Sequence, residues 1–183
     1  MNAYVLIGGR SRRMGASKTE LFLERVVAAG AAVFDRVIAV QRDGGEPAAN
    51  VETIFEEKHE GDGAIFGVAA ALRHANGDAF LLAVDYPLIT REVLEFLRDE
   101  RRVAEWNGQP QPLCAVWSAA SLPRIEGRIA ARRYDLQPLI ERDIIAEGVM
   151  RARFRGEPLM NVNTPEELEA AEKRYGEGFL ASR

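Results

Sequence analysis

Short apolar, β-branched runs alternate along this chain with longer stretches in which Ala, Leu and Val recur at helical spacing. That pattern predicts βα units packed on a mostly parallel sheet. Strands are expected over 4–7, 36–40, 51–55 and 79–84, each ending at polar or glycine-rich punctuation. Crossover helices are expected over 19–29 and 67–75, with Gly30 and Gly77 as their stops. A helix over 90–99 would start at Thr90 as N-cap and line up Val93, Leu94 and Leu97. The run Thr164-Pro165-Glu166-Glu167 is a stronger start, with Pro at the first helical position and acids at the positive end, for a helix reaching about Tyr175. Between 101 and 156 the pattern is less legible; strands are expected over 113–117 and 150–154.

Composition narrows the class. With 183 residues, 47% of them hydrophobic, the chain can bury a sizeable core and reads as one domain without linker or repeat. A net charge of −4 argues against a protein whose main partner is nucleic acid. Arg101-Arg102 and the four arginines between Arg124 and Arg133 read as solvated faces. Neither a basic-apolar leader nor a membrane-length apolar run is present, so a cytoplasmic chain with no membrane partner is expected. Cys114, alone in an apolar run, is expected to be a small buried hydrophobe. His59 and His74 fall in no catalytic or metal-ligating spacing and are expected at the surface.

The segment from Val5 to Lys18 lies between the first strand and the first helix, where open α/β sheets bind ligands. Gly8 and Gly9 allow close backbone approach to a polyphosphate, and the following amides and helix start provide donors. Arg13 and Lys18 add a planar fork and a mobile ammonium against the charge that grows as a phosphoryl bond breaks. Neither the GxGxxG fingerprint nor the GxxxxGK[ST] loop fits this spacing.

Leu6-Ile7-Gly8-Gly9-x-Ser11-x-Arg13-Met14-Gly15-x-x-Lys18 resembles the signature loop LAGGxSxRMGxxK of the molybdenum cofactor guanylyltransferases. Three further segments follow in the family's order. Gly63-Ala64-Ile65-Phe66-Gly67 resembles its GPLAG turn without the Pro, Val84-Asp85-Tyr86-Pro87-Leu88 its CDxPxL segment, and 161–168 its NVNTPEEL motif. The resemblance implies a single-domain Rossmann-like nucleotidyltransferase fold with helices on both faces of the sheet. A nucleotide-binding half would occupy about 1–100 and an acceptor-binding half about 101–175. It also implies an enzyme that uses GTP and Mg²⁺ to transfer GMP to the phosphate of molybdopterin, releasing pyrophosphate, with cofactor-delivering and molybdoenzyme-targeting proteins as partners.

By the same matching, the backbone of Leu6, Ile7, Gly8 and Gly9 and the carboxylate of Glu56 would contact the guanine nucleoside. Glu56 could accept from two N–H donors on one guanine edge, or be one more charge in the run 56–60. Asp85, leaving a very apolar strand, is placed to hold Mg²⁺ against nucleotide phosphates, or to stabilise the turn before Tyr86-Pro87. Asn161 and Asn163 would share one face of an extended segment and orient a substrate or a metal-bound water, or cap the helix that follows. The chain departs from the family further: the stretch from Lys18 to the second strand is shorter, Ser17 replaces a common acid, and Ala39 stands where an Asn follows the second strand, with Gln41 as the available substitute. The alternatives are a related enzyme with another nucleotide or acceptor, such as the cytidylyl enzyme of the same pathway, or a non-catalytic nucleotide-binding regulator. Gly8-Gly9 favours the guanylyl reading, since cytidylyl relatives more often carry Ala before a single Gly.

Overall fold

A computed structural model describes residues 1–7, 18–44, 46–140, 143–162 and 165–175. Its main sheet has five strands in the order β3-β2-β1-β4-β7. These are β1 (Ala3–Ile7), β2 (Val37–Gln41), β3 (Glu52–Phe55), β4 (Ala79–Ala83) and β7 (Cys114–Trp117). The first four are mutually parallel and β7 is antiparallel to β4. Both central strands, β1 and β4, are buried along their whole length, as expected of parallel strands covered on two faces.

Strand alternation assigns each side chain to a layer. Ala3, Val5, Ile7, Phe80 and Leu82 pack with Phe22, Leu23 and Val26 of α1 (Lys18–Ala31) and Val93, Leu94 and Leu97 of α3 (Arg91–Glu100). Tyr4, Leu6, Ile38, Val40 and Leu81 pack on the opposite face with α2 (Ile65–Ala75) and with Ile125 of α4 (Leu122–Ala130). A second, three-stranded sheet, β6-β5-β8, comprises β5 (Val103–Trp106), β6 (Gln109–Pro110) and β8 (Ile144–Ile145). The helix α5 (Glu147–Arg153) covers it, burying Met150 beside Trp106, and α6 (Pro165–Tyr175) closes the described chain. No helix among the described residues is long and apolar enough to cross a membrane.

Several expectations need correction. The segment 150–154 is not a strand. Its apolar-polar alternation also fits one helical turn, and Arg151 settles the choice by bonding Glu147 at i−4 through Nε (2.7 Å) and lying 4.2 Å from the Trp106 ring centroid. Gly30 does not stop α1, which runs on to Ala31; a Cβ there would stand 3.1 Å from Val37 Cγ2, so the glycine allows helix and strand to approach closely. α2 ends at Ala75 as expected, but its cap is Asn76, in the left-handed region at φ 47°, rather than Gly77; the Asn76 N–H bonds the carbonyls of Leu72 and Arg73. Cys114 is fully buried, and that burial pushes its thiol pKa well up, as befits an inert hydrophobe.

Candidate active site

β1 is the point where the strand order reverses: the chain builds outward to β2 and β3 on one side and returns to β4 on the other. The crevice beyond the C-terminal ends of β1 and β4 is therefore the expected ligand position in an open α/β sheet. Leu6 and Ile7 end β1 there, in register with Val40 and Gln41 of β2, and Leu6 also pairs with Ala83 of β4. Gly8, Gly9 and Arg13 lie outside the described residues, as does Asn163. Lys18 is the first residue of α1, at the helix end whose free amides favour anions.

Asp85 follows β4 and is half-buried. Its place is fixed by the backbone: Val84 N–H donates to Leu6 O (3.3 Å), and Asp85 O accepts from Val162 N–H (3.0 Å). The second bond brings exposed Asn161 to the Asp85 turn although the two are remote in sequence. The Tyr86 hydroxyl donates to Gln111 Oε1 (2.8 Å), and Gln111 Nε2 donates to the carbonyls of Trp106 and Gln109, so the turn is also fastened to the β5–β6 hairpin. Burial, with the neighbouring Cys114 and Asp85, pushes the Tyr86 phenol pKa up and keeps it a neutral donor.

On the other side of β1, Glu56 follows β3, and its N–H donates to Gln41 O (2.7 Å). A Cβ on Gly67 would stand 2.9 Å from Leu6 Cδ2 and 3.1 Å from Glu56 Oε1, so these three residues converge on one small volume. Here glycine is required for α2 to approach the strand ends so closely. Ala39 is fully buried mid-strand, and Gln41 is the residue that ends β2; its Oε1 is buried with no hydrogen-bond partner.

The expectation that both histidines lie at the surface fails for His59. Its side chain is 11% exposed, Nδ1–H donates to Gly61 O (2.9 Å), and Nε2 shares a hydrogen with Glu56 Oε2 (2.7 Å). Residues 56–59 lie in a loop, where a three-residue spacing sets no common face, so the sequence carries no signal for this pair. His74, exposed as expected, meets the Tyr4 hydroxyl at 2.9 Å.

No group of three or more His, Cys, Asp or Glu residues forms a metal-sized cluster among the described residues. A single carboxylate at the crevice still fits Mg²⁺, which takes one or two protein carboxylates and completes its shell with substrate phosphates and water. Asp85 is the residue that would hold it.

A strand-order reversal at β1 with a carboxylate just past β4 is the arrangement of an open α/β sheet that binds its ligand beyond the strand ends. Residues 3–152 match the family described as MobA-like NTP transferase domain. The chain belongs to that family. It is 30% identical to the probable molybdenum cofactor guanylyltransferase of Aquifex aeolicus, over 94% of this chain and 92% of that one. It is also 30% identical to that of Methanothermobacter thermautotrophicus, over 90% and 95%. The crystal structure of the molybdopterin-guanine dinucleotide biosynthesis protein A of Archaeoglobus fulgidus superposes with a TM-score of 0.76 at 28% identity, covering 96% of this chain and 98% of that one.

Proposed function

We propose that this chain is a molybdenum cofactor guanylyltransferase: it binds GTP and transfers GMP to the terminal phosphate of molybdopterin, releasing pyrophosphate. The observation that carries this reading is the meeting, at the ends of β1 and β4, of Leu6 with the Asp85 turn and of that turn with the segment at Asn161. The names of the relatives supply the guanylyl donor and the molybdopterin acceptor.

Such a transfer asks a protein mainly for positioning and charge neutralisation. A phosphate oxygen of the acceptor attacks the α-phosphorus of GTP, and the bond to the β,γ-pyrophosphate breaks on the opposite side. The backbone from Leu6 to Gly9 cradles the nucleotide, while Arg13 and Lys18 offset the charge that develops on the leaving pyrophosphate. Asp85 would hold Mg²⁺, which when bound would supply further neutralisation at the phosphates. Glu56 accepts from the guanine edge. Asn161 and Asn163 orient the acceptor, a reading supported by the Val162–Asp85 bond, which holds Asn161 beside the Asp85 turn.

Binding of GTP, CTP and ATP with Mg²⁺, followed by pyrophosphate release on adding molybdopterin, tests the reading. GTP is expected to bind most tightly and to be turned over. Preferred binding and turnover of CTP would make the chain the cytidylyl enzyme, and nucleotide binding without turnover would make it a regulator.

A further inference from the structure

The geometry points to His59 as a positioning residue for base selection, acting through Glu56; this rests on the reading of Glu56 as the guanine acceptor. The imidazole is held on one face and at both ring nitrogens. Its ring stacks on Phe66 with centroids 3.5 Å apart and planes 4° from parallel, and Tyr134 backs Phe66 at 5.0 Å. Gly61, whose carbonyl takes the Nδ1 hydrogen, is packed so tightly that a Cβ would come within 2.5 Å of the Tyr134 ring and 2.9 Å of Phe66. Arg42 Nη2 donates to the His59 carbonyl at 3.2 Å and Nη1 to Asp62 at 3.0 Å, fastening the same loop to the end of β2.

A ring held in this way delivers Nε2 to one oxygen of Glu56 and leaves the other, Oε1, at the volume shared with Leu6 and Gly67. Whichever group carries the shared hydrogen, the carboxylate plane is set before ligand arrives. A free glutamate would have to freeze its side-chain rotamers on binding, and that cost is avoided here. The carboxylate can then discriminate by geometry: an edge with two N–H donors satisfies it, whereas an edge lacking them leaves buried lone pairs unmet.

Two substitutions separate the ring nitrogens. His59→Asn retains an amide donor near the Nδ1 position but does not reach Glu56; His59→Gln places one near Nε2. Equilibrium binding of GTP and of ITP, which lacks the 2-amino group, reads the effect. His59→Asn is expected to weaken GTP binding about tenfold and to narrow the preference for GTP over ITP, with His59→Gln recovering most of both. On a Glu56→Gln background, His59→Asn should add little. A melting-temperature loss without any change in the GTP-to-ITP preference, or an undiminished His59→Asn effect on the Glu56→Gln background, overturns the inference. If Glu56→Gln itself leaves GTP affinity and preference unchanged, the base-acceptor reading falls first and is identified as the one that failed. The unmutated chain offers a second measurement: the ring ¹⁵N resonances of His59 should shift on binding GTP but not on binding inorganic triphosphate, and equal responses to the two overturn the inference.

Discussion

Gly67→Ala adds one methyl where Leu6 and Glu56 meet. The new carbon would stand 2.9 Å from Leu6 Cδ2, 3.2 Å from Leu6 Cγ and 3.1 Å from Glu56 Oε1, all inside ordinary contact distance. Leu6 is 7% exposed at the end of a central strand, and Glu56 is held by His59, so neither yields freely. Overpacking of this kind costs roughly 1–3 kcal/mol. Alanine in a helix interior returns about 1 kcal/mol relative to glycine. The net loss is then about 0–2 kcal/mol, which for a chain of this size lowers the melting temperature by no more than about 8 °C. The nucleotide side should suffer more: a carboxylate displaced by a few tenths of an ångström no longer matches the guanine edge, and GTP affinity should fall about tenfold. Calorimetric GTP titration beside a thermal melt checks both. Unchanged GTP affinity in a folded Gly67→Ala chain would refute the idea that the Leu6–Gly67–Glu56 volume borders the base.

Asp85→Asn should abolish the Mg²⁺-dependent enhancement of GTP binding while the chain stays folded, because the amide loses the charge but the backbone bond to Val162 is retained; titrations with and without Mg²⁺ measure it. Changing Asn161 and Asn163 together to Ala should spare GTP affinity and slow transfer to molybdopterin, and a destabilised but fully active double mutant would reduce both residues to caps. Asp78 Oδ1 accepts from Ala119 N–H (2.8 Å) and Oδ2 pairs with Arg101; these bonds, the backbone one foremost, hold its carboxyl pKa below the usual range. A lowered folded-state pKa contributes stability above the unfolded value of about 3.9 that is lost as pH falls through the folded one, so Asp78→Asn should flatten the melting-temperature profile below about pH 4. Parallel profiles for the two chains down to pH 2 would contradict this.

The central part of the sheet was legible because β1 and β4 are unbroken apolar runs between clear punctuation and β2 is apolar up to its last residue, as burial between two helix layers demands; β3, at the sheet edge and half-exposed, showed instead by its Thr, Ile and Phe between polar breaks. The region after Arg101 was not, for a physical reason: β6 and β8 are two residues each, too short for any period to register, and α5 is a helix of only seven residues, docked on the second sheet by Arg151 over Trp106 and by the Gly108 N–H that Glu147 accepts. Leu6, Glu56 and Asp85 were legible as motif residues, and the structure adds that all three border the strand-order reversal. His59 was missed because its partners are a backbone carbonyl and a carboxylate inside a run of charges that reads as solvent-facing. Thr90 shows a smaller gap of the same kind: it precedes α3 in extended conformation, yet its hydroxyl bonds the Glu92 side chain instead of capping a backbone amide.

The bond between Val162 N–H and Asp85 O is made by main chain at both ends, so it is indifferent to the side chains beside it. Val162 itself is fully buried and must remain apolar, and proline alone is barred there for want of an N–H. Its neighbour Asn161 is exposed, and its side chain takes no part in that bond. Lineages could therefore rewrite what this segment recognises, one substitution at a time, without unfastening it from Asp85, and so acquire new acceptors on an unaltered nucleotide-binding frame.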